Sequence, residues 1–575
     1  MMSRPSSRSL TFLTALTVAA CGRSTADMPG VGVVRGVATS GSGMVVSAYP
    51  DASESGAEVL RAGGNAVDAA IATGLALAVT HPTAGNIGGG GFMVIRFPDG
   101  GATAIDFREK APLKAHPEMF VGEDGEYSYQ IHHRSHLAVG VPGTVAGFAL
   151  AHEKYGNAQW HDLVQPSVAL ARDGFVVSDR LANSLSGRLE AFRDYPATYA
   201  QFSKDGVPYE PGEVLVQPDL AVTLERIRDE GRDGFYRGAT ARLLAEEMER
   251  GGGWITEEDL ARYEAREREP VRGTYRGYDI ISMPPPSSGG TALVQMLNVL
   301  EGFDVAAMGA GSPEYAHHLV ESMRRAFRDR AMFLADADFA EVPVERLTSK
   351  EYATEIRETI QADAASVSSP ADLEAAPGWE STETTHYSVV DADGMAVAVT
   401  YTLEGGYGSY ITVPGAGFLL NNEMGDFNGR PGLTNETGLI GTEANLARPE
   451  QRMLSSMTPT VVARDGELVA VIGSPGGRTI INTVLQLVVN LVDFGESPEG
   501  VVAAKRLHHQ WLPDRARLED GFMSEEDAAT LAAMGHQVTW GRGQGIAHCI
   551  FVDGATGQFV GVPDPRDSDG ASASY

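Results

Sequence analysis

A threonine lies where a long irregular segment of the sequence ends and a strand-like run begins. The segment Ala364 to Glu383 contains serines, prolines and a glycine without a sustained period, which indicates a loop. Thr384 follows this segment directly, ahead of the strand-like run Tyr387–Val390. A threonine hydroxyl can act as a nucleophile in acyl transfer, but it is weak and needs a base beside it. Threonines are common where strands begin, so the position gains meaning only from the motifs around it.

Several short motifs with chemically useful side chains accompany this threonine. Each has an ordinary explanation when it stands alone: a loop acid is usually solvated, an arginine usually pairs with a neighbouring acid, and Ser-Pro-Gly-Gly usually forms a tight turn. In chain order the motifs are Gly88–Phe92, Asp106–Pro112, Val141–Thr144, Pro285–Gly290, Thr400–Leu403, Asn421–Phe427, Leu454–Pro459, Gly473–Gly477 and His508–Pro513.

Together and in this order, the motifs resemble the γ-glutamyltransferase (glutathione hydrolase) family, from about Gly43 to the C-terminus. The resemblance implies an α+β fold of the N-terminal nucleophile (Ntn) hydrolase type, a four-layer αββα sandwich that is made as one chain and cuts itself. By the family pattern the cut falls between Glu383 and Thr384. It would divide the chain into a large subunit, residues 44–383, and a small subunit, residues 384–575, which together form a heterodimer.

Cleavage would supply the base that the threonine needs. The loop before Thr384 can bend so that the hydroxyl attacks its own preceding carbonyl, and an N→O acyl shift and ester hydrolysis would follow. The freed α-amine of Thr384, with an unperturbed pKa near 8, is then a serviceable base around neutral pH. The resemblance implies that the hydroxyl takes the γ-glutamyl group from glutathione or a similar donor. Water, an amino acid or a dipeptide then accepts the group.

The resemblance also assigns roles beside the nucleophile. Thr402, 18 residues after Thr384, matches the residue that orients the nucleophile. Gly476 and Gly477 match the pair whose backbone N–H groups form the oxyanion hole, where the lack of a Cβ allows close approach.

The substrate head carries one carboxylate and one ammonium, which need opposite partners. Arg108 matches the family's arginine for the carboxylate, and a guanidinium suits that group because it can bind both oxygens. Ser455 and Ser456 match residues that add hydrogen bonds to the same carboxylate. Glu423 and Asp426 match the pair that holds the ammonium.

Three positions depart from the family pattern. Glu404 stands where many members carry Asn, so contact with the head group is expected with altered charge, and Gly425 replaces a frequent Asp. The stretch Asn428–Gln451 is long enough for a lid over the pocket, but Thr437 lies where a gating tyrosine is expected. We therefore expect a lid that shields the acyl-enzyme less well and favours hydrolysis over transfer. An unchanged ratio of transfer to hydrolysis in Thr437→Tyr would contradict this expectation.

The first 20 residues are typical of an export signal. Arg4 and Arg8 precede an apolar stretch, Leu10 to Ala20, that is too short to span a bilayer as a finished helix. Val18-Ala19-Ala20-Cys21 resembles a bacterial lipobox, in which Cys21 is lipidated and becomes the mature N-terminus; the alternative is an ordinary signal peptide with an incidental cysteine. Residues 21–43, rich in Gly, Ser and Thr, are predicted to be a tether. We expect a periplasmic or cell-surface protein whose membrane contact is a lipid anchor.

Composition excludes several function classes. The formal net charge is −31 and there is no Lys/Arg-rich run, which argues against nucleic-acid binding. Two cysteines exclude a disulfide framework, and the sequence lacks Walker A, dinucleotide-binding and His-Glu-x-x-His motifs. Adjacent histidine pairs have diverging side chains and more commonly make core hydrogen bonds than bind metals. The resemblance requires no metal or organic cofactor.

Regular elements flank the chemically useful residues. The pattern predicts helices over Asp51–Ala62 and Asn65–Thr80, with Asn65 as an N-cap, and a further helix over Thr291–Leu300. Tyr387–Val390 and Met395–Thr402 surround the tight turn Asp391–Gly394, which predicts a hairpin directly after Thr384.

Two other functions remain open from the sequence. A related acylase of the same fold would act on glutaryl-type amides, although Arg108, Glu423 and Asp426 suit a substrate with an ammonium. A catalytically dead lipoprotein would only bind γ-glutamyl compounds, although Thr384 and its predicted partners are intact.

Overall fold

The structure, a computed structural model, describes residue 1 and residues 32–369, 384–432 and 442–575. The predictions on the signal segment, Cys21, Glu383 and Thr437 lie outside the described residues. No helix in the described part of the chain is long and apolar enough to cross a membrane.

Two large sheets form the centre of the fold. The first has eight strands, in spatial order β1 (Gly32–Val34), β20 (Ala571–Ser574), β3 (Met44–Ser47), β11 (Thr385–Val390), β12 (Ala396–Thr402), β4 (Gly90–Arg96), β5 (Ala102–Phe107) and β8 (Arg266–Arg268). The second has seven strands, in spatial order β2 (Ala38–Ser40), β19 (Phe559–Val562), β18 (Cys549–Val552), β14 (Glu467–Ile472), β13 (Thr460–Arg464), β10 (Tyr278–Ser282) and β9 (Val271–Tyr275).

The central strands of the first sheet contribute to two different cores, because successive side chains point to opposite faces. Val45 and Val399 belong to the cluster under the first layer of helices, whereas their neighbours Val46 and Ala398 belong to a cluster shared with Val471 of the second sheet. The two sheets therefore pack face to face, with helices on each outer face. This arrangement is the predicted four-layer αββα sandwich.

The outer helices are amphipathic or wholly buried. The first sheet is covered by α1 (Pro50–Arg61), α2 (Ala66–Thr80) and α4 (Thr144–Tyr155), and the second by α12 (Gly289–Leu300), α14 (Pro313–Phe333) and α17 (Thr479–Val492). The remaining helices are α3 (Tyr129–Arg134), α5 (Trp160–Asp173), α6 (Asp179–Phe192), α7 (Pro196–Gln201), α8 (Pro218–Glu230), α9 (Asp233–Tyr236), α10 (Gly238–Gly251), α11 (Glu257–Arg262), α13 (Val305–Met308), α15 (Val344–Leu347), α16 (Lys350–Glu358), α18 (Pro498–Ala503) and α19 (Glu525–Ala533).

Smaller elements complete the fold. A three-stranded sheet contains β15 (Leu507–His508), β16 (Ala516–Glu519) and β17 (Val538–Gly541), and a two-stranded sheet contains β6 (Phe175–Val176) and β7 (Val214–Leu215). Short 3-10 turns span His136–Ala138, Glu423–Asp426 and Glu443–Asn445.

The local predictions agree with the structure where the sequence pattern was strong. The side chain of Asn65 caps α2, and the Asp68 carboxylate accepts a hydrogen bond from the backbone N–H of Asn65, which completes a capping box. The predicted hairpin is formed by β11 and β12.

The tether prediction was wrong for its second half. Residues 32–34 and 38–40 form β1 and β2, which pair with β20 and β19 near the end of the chain. These strands have three residues each and no apolar alternation, so their Gly- and Ser-rich surroundings resembled a linker. Their partners lie more than 500 positions away, and long-range pairing rather than local pattern makes them strands.

Candidate active site

The hairpin register places the two predicted catalytic threonines side by side. Thr385 pairs with Tyr401 in the ladder between β11 and β12, so Thr384 and Thr402 lie opposite each other at its end. Their Oγ1 atoms are 3.5 Å apart, and Thr384 is 8% exposed. The Oγ1 of Thr402 also accepts a bond of 2.8 Å from the backbone N–H of Glu404, which fixes its rotamer.

Gly476 and Gly477 immediately precede the N-terminus of α17, which begins at Thr479. Both have positive φ angles, +134° and +55°, which L side chains rarely adopt. A Cβ on Gly476 would lie 2.4 Å from Thr479 Oγ1. A helix N-terminus with free backbone N–H groups favours negative charge, so this turn is suited to an oxyanion.

A small cavity of about 250 Å³ brings most of the predicted site residues together. Nine of the ten predicted catalytic and substrate-binding residues line it: Arg108, Thr384, Thr402, Glu404, Glu423, Asp426, Ser455, Ser456 and Gly477. The tenth, Gly476, lines a neighbouring cavity that also contains Thr384. We call the first the small cavity and the second the large cavity.

Arg108 is the centre of an ion-pair cluster in the small cavity. It follows β5 and is fully buried, and it pairs closely with both Glu423 and Asp426 of the 3-10 turn. A third acid, Glu109, lies 3.6 Å from the same guanidinium, and neither of its carboxylate oxygens has a hydrogen-bond partner in the described part of the chain. The guanidinium also donates to the carbonyl of Met453. The predicted carboxylate-binding and ammonium-binding groups therefore contact each other.

Burial dominates the protonation of these acids. Desolvation raises the pKa of Glu423 well above its ordinary value, against the lowering effect of Arg108. Burial likewise raises the pKa of Glu109 to about 7. Desolvation alone would lower the pKa of Arg108, but the charges of Glu423 and Asp426 raise it overall. The cluster thus holds one permanent cation, and two of its acids, Glu109 and Glu423, ionise reluctantly because they are buried.

The serine pair is held by a motif distant in sequence. Ser288, in the Pro285–Gly290 motif, donates to the carbonyl of Ser455 through its N–H and its hydroxyl, at 2.8 and 2.6 Å. Arg330 of α14 bridges the two segments, since its guanidinium donates to the hydroxyls of Ser288 and Ser456 at 2.9 and 3.0 Å. Arg330 is not among the predicted site residues, because a helical arginine has no local signal for such a role.

Glu404 has a histidine neighbour that the sequence did not reveal as part of the site. Glu404 accepts a bond from Asn422 and lies 3.5 Å from Nδ1 of His133, a residue of α3. A Cβ on Gly425 would lie 2.4 Å from the same Nδ1. The imidazole therefore occupies the space that an aspartate at position 425 would need, which explains the glycine physically.

The glycine run Gly88–Gly91 lies against the backbone of the strands that carry the site. A Cβ on Gly89 would be 2.1 Å from the carbonyl oxygen of Thr402, and one on Gly90 would be 2.4 Å from that of Phe107. Asn86 donates to the same Thr402 carbonyl at 2.9 Å. Close backbone packing thus fixes the end of β12, on which the threonine pair depends.

The large cavity also borders Thr384. Its wall includes Gly476 and the charged residues Arg180, Arg517 and Asp567. His81 also lines it, and burial lowers the pKa of its imidazole to about 3, so this side chain is neutral.

One group of possible metal ligands occurs among the described residues, away from both cavities: His317, Glu321 and His536. The two histidines bond each other at 2.8 Å, and the Glu321 carboxylate is engaged by Arg324 and Arg325. These contacts are the core hydrogen bonds expected for buried histidines.

Known proteins resemble this chain in sequence and in structure. The sequence profile of the family described as gamma-glutamyltranspeptidase matches residues 52–574. The glutathione hydrolase proenzyme of Escherichia coli (strain K12) is 49% identical over 538 residues, which cover 93% of this chain and 92% of that protein. The acylase ACY 1 proenzyme of Pseudomonas sp. (strain SE83) is 39% identical over 502 residues, which cover 86% and 87%.

A solved structure has the same arrangement of layers. The crystal structure of cephalosporin acylase from Bacillus halodurans superposes with a TM-score of 0.82 at 26% identity, over 97% of this chain and 99% of that chain. The predicted Ntn-hydrolase fold is thereby confirmed, as is the predicted family. The extent of the profile match and the identity to a glutathione hydrolase proenzyme lead to one conclusion: this chain is an enzyme of the γ-glutamyltranspeptidase family.

Proposed function

We propose that the chain cleaves itself between Glu383 and Thr384 and that Thr384 then transfers the γ-glutamyl group of glutathione-like donors. The observation that carries the proposal is the position of Thr384, beside Thr402 and at the edge of a cavity lined by nearly every predicted substrate-binding side chain. Membership of a family with glutathione hydrolase proenzymes supports both the self-cleavage and the reaction.

In the first step the Thr384 hydroxyl attacks the carbonyl carbon of Glu383. The C–N bond breaks as an ester forms, and water then hydrolyses the ester and leaves a free α-amine on Thr384. Residues 44–383, with the strands β1 and β2 before them, become the large subunit, and residues 384–575 become the small one. Because β11 of the small subunit pairs with β3 of the large one, the two fragments stay together as a heterodimer.

In the second step the α-amine of Thr384 accepts the hydroxyl proton as the oxygen attacks the γ-carbonyl carbon. The N–H groups of Gly476 and Gly477 stabilise the tetrahedral oxyanion at the start of α17. The leaving amine takes the proton, and a γ-glutamyl ester remains on Thr384. Water, or the amine of an amino acid or dipeptide, then attacks this ester and regenerates the hydroxyl.

When the glutamyl head binds, its charged groups replace the ion pairs that Arg108 makes with the acids of the small cavity. The substrate carboxylate binds Arg108 and the hydroxyls of Ser455 and Ser456, while the ammonium binds Glu423 and Asp426. A zwitterion can replace the contacts between arginine and acids one for one, so the buried charges stay compensated on binding. Glu404 completes the acidic side of the cavity.

One gel tests the enzyme against a binding protein that lacks catalysis. The wild-type chain should separate under denaturing conditions into two fragments, the smaller beginning at Thr384, and should release a chromogenic amine from a γ-glutamyl anilide. Thr384→Ala should remain one chain and release none, whereas Thr385→Ala, the neighbouring substitution, should still be cut. A wild-type chain that stays uncut and inactive would overturn the proposal.

A glutaryl amide separates this function from that of an acylase. The chain is also similar to the ACY 1 proenzyme and to cephalosporin acylase, so an acylase function is the alternative to test. γ-Glutamyl and glutaryl anilides differ only in the ammonium, for which Glu423 and Asp426 are placed. We expect a preference for the γ-glutamyl compound of at least about 100-fold, because an unpaired buried acid pair is costly. Equal rates would favour the acylase function.

We also propose that residues 1–20 direct export and that Cys21 carries the lipid anchor, in the periplasm or at the cell surface. The support is the lipobox-like sequence alone. Cys21→Ser should abolish incorporation of labelled fatty acid and move the enzyme from the membrane fraction to the soluble fraction. An enzyme that is found in the soluble fraction before any substitution would contradict the anchor but leave the signal peptide possible.

A further inference from the structure

The large cavity contains an arginine that has no assigned role. Arg517, on β16, is half-buried and lines the cavity that borders Thr384 and Gly476. Its guanidinium packs against Gly541, where a Cβ would be 2.7 Å from Nε, and Nη2 donates to the carbonyl of Arg542 at 3.0 Å. The parallel ladder between β16 and β17 places these partners beside it. The side chain is therefore held in place rather than free in solvent.

The charge of Arg517 is uncompensated. The cavity's other arginine, Arg180, pairs with Asp567. Among the described residues, no carboxylate lies within ion-pair distance of the Arg517 guanidinium, although the chain has 76 acids and only 45 basic residues. A positioned, unpaired guanidinium in a cavity is a binding group for a carboxylate.

The two cavities that meet at Thr384 differ in sign. The charged side chains that line the small cavity are one arginine and three acids, and those that line the large cavity are two arginines and one acid. Glutathione has a matching division: its γ-glutamyl head is a zwitterion, and the cysteinylglycine beyond the scissile bond ends in a carboxylate. Two extended residues reach about 7 Å.

We propose that the large cavity binds the leaving group and the acceptor, and that Arg517 selects those that end in a free carboxylate. This inference rests on the proposed γ-glutamyl transfer. A donor occupies both cavities at once, with its carbonyl at Thr384 between them. After the leaving dipeptide departs, a dipeptide acceptor binds in the same place, with its amine toward the ester and its carboxylate on Arg517.

The test removes first the carboxylate of the substrate and then the guanidinium of Arg517. Glutamate release is measured from glutathione and from glutathione amidated at its glycine carboxylate, with the wild type and with Arg517→Gln. We expect the ratio of kcat/KM for the acid to that for the amide to fall about tenfold in Arg517→Gln, the usual effect of losing one charge-assisted hydrogen bond. Arg517→Lys, which keeps the charge, should retain part of the ratio.

A second arm uses acceptors with a common γ-glutamyl anilide donor. The preference for glycylglycine over glycylglycinamide should fall in the same variant. Arg172→Gln is the matched control, since Arg172 is an exposed arginine paired with its neighbour Asp173 and lies outside both cavities. An equal acid-to-amide ratio in wild type and Arg517→Gln would overturn this inference. Absence of glutamate release from either donor by the wild type would instead overturn the proposed function.

Discussion

The small and large cavities share Thr384 but are built differently. In the small cavity the charged groups are buried and neutralise one another, as Arg108 does with Glu423 and Asp426. In the large cavity Arg517 is half-buried and has no acid partner among the described residues. Under the proposed function, this difference means that the invariant glutamyl head is recognised by exchange of internal ion pairs. The part that varies between donors and acceptors would meet the half-buried guanidinium of Arg517.

The largest expected effect follows from breaking the ion-pair cluster of the small cavity. The Arg108 guanidinium contacts Glu423 and Asp426 at the same time. Arg108→Lys replaces it with a single ammonium, which leaves one buried acid without a partner. We expect kcat/KM for a γ-glutamyl anilide to fall about 1,000-fold, in line with a few kcal/mol for an uncompensated buried charge. Arg172→Gln should retain wild-type kinetics.

The measurement requires that the Arg108→Lys chain is still cut into two fragments, which the denaturing gel checks. A loss below tenfold in a fully cut enzyme would mean that the cluster is not the donor site. The small and large cavities would then not differ in the way proposed above.

A smaller effect is expected at the boundary between the cavities. Gly476→Ala adds a Cβ 2.4 Å from Thr479 Oγ1 at a φ of +134°, so the turn must shift and misplace the oxyanion donors. Removing one such donor typically costs about 100-fold in kcat. Because the oxyanion forms with every donor, acid and amide forms of glutathione should be affected equally.

Gly466→Ala is the matched control for this substitution. Gly466 also has a positive φ, +83°, but lies in the turn between β13 and β14 with open space around it. Gly466→Ala therefore introduces the backbone strain of an alanine at positive φ, but its new Cβ contacts no residue of the active site. Equal loss of kcat in the two variants would contradict the assignment of the oxyanion hole.

The smallest effect concerns stability rather than turnover. Burial raises the pKa of Glu109 from 4.5 to about 7. Between these two pH values the Glu109 carboxyl is protonated in the folded chain and ionised in the unfolded chain. The stability from this group is present below pH 4.5 and is lost as pH rises to about 7. Glu109→Gln cannot ionise, so its stability relative to the parent should increase over this range, by about 1–3 kcal/mol.

Thermal unfolding of Glu109→Gln and its parent, both carrying Thr384→Ala to keep one uncut chain, checks the sign. The difference in melting temperature should favour Glu109→Gln more at pH 8 than at pH 4.5. A difference that is independent of pH would mean that Glu109 stays ionised in the folded chain.

Sequence patterns predicted the parts of the site that depend on local geometry. A tight turn between two strand-like runs is enough to place Thr384 beside Thr402, because an antiparallel register follows from the turn. The role of Gly476 and Gly477 came from the resemblance, because Ser-Pro-Gly-Gly alone indicates only a tight turn. The individual roles came from resemblance to a family, since no spacing indicates that Arg108 meets Glu423, 315 positions away.

Long-range contacts account for what the sequence did not reveal. Arg330 and His133 reach the site from helices whose patterns predict only packing. Arg517 lies in a run with acids on either side, Asp514 to Asp520, which is typical of a solvated surface. Its lack of an acid partner among the described residues became visible only in the structure, which shows β17 and the large cavity beside it.

The position of β20 sets the order of events during synthesis. Residues 571–574 lie between β1 and β3, and β3 in turn pairs with β11, whose first residue follows Thr384. The sheet that orients the nucleophile is therefore incomplete until the ribosome has passed residue 574. A chain truncated before residue 571 lacks the strand between β1 and β3, so it should cleave itself less completely than the parent under the proposed function.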